Sequence, residues 1–197
     1  MKKADQRELT RSALIESAAI EFEAHGYTGT VLSHVSDRLG LTKGTVYFHF
    51  PTKALLAGAV IDHYFTAWEG DIVQARLAPG ALAGLRSLAN DVSERYRDDV
   101  TIRAAVRLMR DRNVAASTHY LPFVGWFDVV AEFLRRAVDQ GEIPEDADIE
   151  AYSRQIVATF DGLQKMVDDL GWRTRLPEFV DEMWRMYGLD EPQNRDR

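Results

Sequence analysis

The sequence predicts an all-α fold: an N-terminal three-helix domain carrying a helix-turn-helix, joined to a larger helical body. Three observations lead there. Apolar residues recur at helical spacing in almost every periodic segment, no segment sustains the alternation of a half-buried strand, and glycine or proline punctuates the chain at intervals suited to helices.

The first helix runs from Leu9 to His25, where Leu14, Ala18 and Phe22 recur with Ile15 and Ala19 beside them, and Gly26 stops it. Thr30 is placed to cap a short second helix carrying Val31, Val35 and Leu39, which Gly40 closes. Thr42 opens a third segment. Within LTKGTVYFHFPTKALL the residues TVYFHF have the β-branched and aromatic character of a strand. A strand between Gly44 and Pro51 would lack a partner in a chain whose other segments are helical, so the helix is preferred. Pro51 ends that segment, and Thr52 opens a long helix, KALLAGAVIDHYFTAWEGDIVQA, with Leu56, Val60 and Tyr64 among its apolar positions. Breaks at Pro79-Gly80, Leu121-Pro122, Gly141 to Pro144 and Gly171 to Pro177 mark off further helices. The resulting division is a head of residues 1–53, a body of 54–189 and a polar tail of 190–197.

The chain has 197 residues, 46% hydrophobic and 28% charged, which suits a soluble protein with one sizeable core or a small domain attached to a medium one. It has no cysteine, which excludes a disulfide framework and cysteine-based zinc or thiol chemistry. No apolar run is long enough to span a bilayer, and MKKADQRELTR leads into charged helix, so a cytoplasmic protein with no membrane partner is expected. The net charge of -7 divides unevenly: residues 1–53 carry +1 and the remainder -8. The acidity therefore belongs to the body, and the head does not repel phosphate as a whole. Histidines 25, 34, 49, 63 and 119 form no metal-binding pair at helical spacing, and no G-x-S-x-G, P-loop or dinucleotide fingerprint occurs. No catalytic residue, metal or cofactor is expected.

The run GYTGTVLSHVSDRLGLTKGTVYFHFPTKALL, Gly26 to Leu56, resembles the amino-terminal DNA-binding domain of the TetR family of bacterial transcriptional repressors. Gly26, Tyr27, Thr30, Thr42, Lys43, Gly44, Tyr47, His49, Phe50 and Lys53 stand in the family's order and spacing. The resemblance implies a recognition helix over Thr42 to Phe48 and double-stranded operator DNA as partner. It implies base-edge contact for Lys43 and Thr45, close approach at Gly44, and phosphate contact for Tyr47, His49 and Lys53, with Thr30 and Thr42 at helix starts. Val31 departs from the second threonine of many relatives, leaving Thr30 as the cap and contact at that turn. Phe50 reads as a core aromatic.

In the body, Tyr152, Ile156, Phe160, Leu163, Val167 and Leu170 form a stripe suited to packing against another helix, of this chain or of a second copy. The family resemblance favours a homodimer through this stripe and Leu176 to Leu189. In VTIRAAVRLMRDR, Ile102, Val106 and Met109 share one face, while Arg103, Arg107 and Arg110 form a solvated or salt-bridged one. LPFVGWFDVV, with its Pro-Phe-x-x-Trp pattern, resembles the γ-butyrolactone receptor branch of the family. That resemblance implies a small hydrophobic signalling ligand of butyrolactone, furan or butenolide type, and a pocket drawing on Tyr64, Val106, Met109, Phe123, Trp126, Val130, Phe160 and Gln164. Tyr64 stands where some relatives have a ligand-contacting glutamine, and Trp126 and Phe160 also fit ordinary core. The expected function is a ligand-released repressor. Its alternatives are a regulator of the same type answering a drug, a lipid or a partner protein and, more distantly, an α-helical enzyme.

Overall fold

In the computed structural model, residues 3–114 and 124–189 are described, and among them no strand occurs. Helix α1 spans Lys3–Gly29, but Gly26 within it is non-helical at φ 68° and ψ 178°, so the chain kinks where the sequence predicts a stop. A positive φ combined with ψ near 180° is open essentially to glycine alone. Helix α2 is Leu32–Arg38, and its start differs from expectation: the residue at the cap is Val31, which offers no side-chain hydrogen bond. Thr30 does not cap it. Instead, both its backbone N–H and its hydroxyl donate to the Gly26 carbonyl four residues earlier, at 3.2 and 2.7 Å. Val31 is exposed, while Leu32 and Val35 supply the buried face. Leu41 N–H donates to the Ser36 carbonyl at 3.0 Å and closes the helix.

Helix α3 is Lys43–His49, one residue displaced from the expected recognition segment, and α4 is Lys53–Arg76. Thr52 Oγ1 accepts the Leu55 N–H at 3.1 Å, fulfilling its expected capping role. There follow α5 (Ala81–Asp98), α6 (Val100–Met109), α7 (Val124–Asp139), α8 (Ile149–Leu170), a 3-10 turn at Arg173–Arg175 and α9 (Leu176–Met186). Asp99 caps α6 by accepting the Thr101 N–H at 2.7 Å, and Asp148 caps α8 through the Ala151 N–H at 2.9 Å.

The chain forms two compact units, residues 1–67 with 99–122 and residues 68–98 with 123–197. These do not coincide with the sequence division at residue 53: the unit holding the head runs on into α4 and takes in α6. Its core joins Leu14, Ala18 and Phe22 of α1 to Val35, Val46, Phe50, Leu56 and Val60, with Ile102, Ala105 and Leu108 of α6 also buried. Burying each such large side chain stabilises by about 1.5–3 kcal/mol before entropy is counted. The second unit buries Trp68, Leu85, Leu88, Tyr96, Phe133, Leu134, Val167, Val180 and Trp184. There, a Cβ on Gly84 would lie 2.3 Å from the Ala75 carbonyl oxygen, so the last turn of α4 approaches α5 at a distance that only glycine permits.

Candidate nucleic-acid interface

Helix α3 is short, and its start is fixed locally. Thr42 Oγ1 accepts the Thr45 N–H at 3.2 Å and lies 3.0 Å from the Thr45 hydroxyl. Val46 and Phe50, four residues apart, point into the head. Their burial overrides the strand propensity of TVYFHF. The opposite side is left to solvent: Lys43, Gly44, Tyr47 and Phe48 are all exposed. The Lys43 ammonium lies 5.7 Å from the Tyr47 ring centre, near enough for each to orient the other.

The turn behind α3 is tied to α4. Tyr27 stacks on Phe22 at 6.2 Å, and the Lys53 ammonium sits 4.9 Å from the centre of the Tyr27 ring. Lys53 Nζ also donates to the carbonyls of Thr28 and Thr30, at 3.2 and 3.0 Å. Two of its three N–H groups thus hold the turn, where the sequence suggested a phosphate contact. Thr30 is 4% exposed, with its hydroxyl directed at Gly26.

Further positioning groups escaped sequence reasoning because they pair over long separations. Glu21, 4% exposed in α1, accepts from Arg38 Nη2 of α2 at 2.6 Å through Oε1. Its Oε2 accepts no hydrogen bond and lies 3.8 Å from His25 Nε2 and 3.6 Å from His34 Nδ1. Ser17 donates to the Val35 carbonyl at 3.0 Å, a second tie between α1 and α2. From the first turns of α1, Arg7 covers the Phe48 ring at 5.4 Å and Arg11 the Phe50 ring at 5.3 Å. Burial, then the positive charges of Arg7 and Arg11, hold the His49 imidazole below its ordinary pKa, against a smaller opposing effect of Glu8. Two of the arginines expected to form a solvated or salt-bridged face meet α1: Arg103 Nε forms an ion pair with Glu23 Oε1 at 3.3 Å, and Arg107 donates to the Glu23 backbone carbonyl.

Of the residues expected to meet a ligand, Tyr64, Val106 and Met109 are buried in the first unit. Trp126, Val130, Phe160 and Gln164 lie in the second, on the packed pair α7 and α8. Trp126 is half-buried with its ring 6.1 Å from Trp68, edge to face, while Val130 and Gln164 are buried. Arg95 covers Trp68 at 4.9 Å and pairs with Asp71 at 2.8 Å. Phe123 lies outside the described residues. Among the described residues no group of three or more His, Asp or Glu side chains is arranged to hold a metal ion, and no helix is long and apolar enough to cross a membrane.

A capped short helix presented on a three-helix head defines a helix-turn-helix protein of the DNA-reading type. Residues 14–60 match the family model described as bacterial regulatory proteins, tetR family, and residues 80–188 match the tetracyclin repressor-like C-terminal domain. The chain belongs to the TetR family, a family of transcriptional regulators, which sets the enzyme alternative aside. It is 28% identical over 176 residues to the A-factor receptor protein of Streptomyces griseus, covering 89% of this chain and 61% of that protein's length. A structure from work on the control of antibiotic production by bacterial hormones superposes with a TM-score of 0.82 at 31% identity, covering 90% of this chain and 94% of that one. A γ-butyrolactone receptor, ArpA-like, gives 0.77 at 26% identity over 92% of this chain and 87% of its own. CprB of Streptomyces coelicolor, in complex with its biological operator sequence, gives 0.78 at 26% identity, over 92% and 88%.

Proposed function

We propose that the chain is a homodimeric cytoplasmic repressor that holds operator DNA through α3 and releases it on binding a small hydrophobic signal of γ-butyrolactone, furan or butenolide type. The observation that carries this reading is the outward face of α3: a Thr42-capped start with Lys43, Gly44 and Tyr47 exposed and Thr45 beside them. Lys43 and Thr45 reach base edges, while Tyr47 and half-buried His49 reach phosphate. CprB in its operator complex supports the DNA partner, and the ArpA-like γ-butyrolactone receptor supports the ligand class. The ligand lies against Trp126 and Phe160, with the Gln164 amide serving its lactone oxygens. Release requires that the signal bind one body conformation more tightly than the other, since equal affinity shifts nothing.

The test is fluorescence anisotropy of the full-length protein on genomic fragments, with and without a racemic γ-butyrolactone. Wild type should bind a pseudo-palindromic fragment, with affinity falling steeply as salt rises. The lactone should release that fragment and quench tryptophan emission. Trp126→Ala should keep DNA binding and lose most of the response. A fragment bound equally well by wild type and by Lys43→Ala/Tyr47→Ala would sink the α3 assignment. Release of Trp126→Ala at the wild-type lactone concentration would remove the ligand assignment and leave the repressor.

A further inference from the structure

At about 100° per residue, Gly44 and Phe48 fall opposite the buried Val46 on α3. Phe48 is 67% exposed, the most exposed large apolar side chain among the described residues of its unit. The ring is nevertheless held. Arg7 covers it at 5.4 Å, and the His49 ring meets it edge to face at 5.2 Å and 89°. With no side chain on Gly44 one turn earlier, the phenyl is the projecting feature of that row. A phenyl ring left in water forgoes the stabilisation of burial and offers no hydrogen bond to a base. Among the edges that the four base pairs display in the major groove, the apolar group is the thymine C5-methyl.

We propose that Phe48 is a specificity-determining residue that reads thymine, packing its ring against the C5-methyl. This rests on the reading that α3 enters the major groove. Polar readout by Lys43 and Thr45 is complemented by one apolar contact from the same face, so that each half-site carries a thymine that no hydrogen bond explains.

The probe is a duplex selected by the full-length wild-type protein from a random-sequence pool, resynthesised with deoxyuridine in place of each thymine in turn. That exchange removes one methyl and leaves base pairing intact. Wild type should lose about fourfold in affinity for one methyl, at a single thymine of each half-site. Phe48→Ala should bind more weakly overall and bind the thymine and uracil duplexes equally, whereas Phe48→Leu should keep part of the difference. Because the ring is exposed, circular dichroism of both variants should match wild type. A flat deoxyuridine series for wild type, a selected half-site without thymine, or a full methyl effect in Phe48→Ala would each overturn the proposal while leaving DNA binding standing. Failure of wild type to select any duplex would remove the DNA-binding reading and this one with it.

Discussion

Glu21 keeps a carboxylate inside the head because Arg38 reaches across from α2, and nothing in the local sequence marks either residue as special. A buried carboxylate deprived of its donor is costly. Arg38→Ala should lower stability by about 1.5–3 kcal/mol in urea denaturation, and adding Glu21→Gln should recover part of the loss. His49 supplies a second test. Its folded pKa lies below the unfolded value, so the unfolded chain takes up the proton more readily. The head should therefore lose stability as pH falls from about 6.5 toward the depressed value, with no contribution above that range. NMR titration should place His49 below an ordinary histidine, and Arg7→Ala should raise it only partway, since burial is the larger cause. Lys53 was legible as a motif residue, but the work its ammonium does was not. Spacing reveals that a lysine stands there, whereas its two carbonyl partners belong to a turn 23 and 25 residues earlier.

At the scale of elements, the features legible in the sequence were those with local causes. Thr42 and Thr52 cap the helices expected of them, and α8 runs from Ile149 to Leu170 as its apolar stripe suggested. The kink at Gly26 was visible as a glycine. The direction of the Thr30 hydroxyl was not, because a threonine that caps the next helix and one that bonds back to the carbonyl four residues earlier look alike in sequence. Likewise, the amphipathic pattern of α6 marked a buried face without saying that its arginines would meet Glu23 of α1. Gly26→Ala should cost about 1–3 kcal/mol from the backbone alone, and its Cβ would also lie 3.2 Å from the Arg107 guanidinium. Thr42→Ala should cost about 1 kcal/mol by losing its cap. Thermal unfolding of the two variants checks the order: Gly26→Ala should melt lower.

For the whole molecule, the proposed homodimer is supported by apolar side chains left in water between residues 166 and 186: Met166, Leu170, Trp172 and Met186, the last 87% exposed. Sedimentation equilibrium should return twice the chain mass, and Leu170→Asp with Met186→Asp should return the single-chain mass with helicity retained. A wild-type monomer that still binds operator would refute the dimer. The assignment of α6 to the same compact unit as α1 also bears on biosynthesis, because the 31 residues 68–98 are made between the two parts of that unit. While the ribosome is still extending α5, the nascent head lacks α6, and the face of α1 that it packs against remains bare. A chain terminated at residue 53 or 67 is thus frozen at that stage, and it should be cleared by proteases faster than one allowed to continue past Met109.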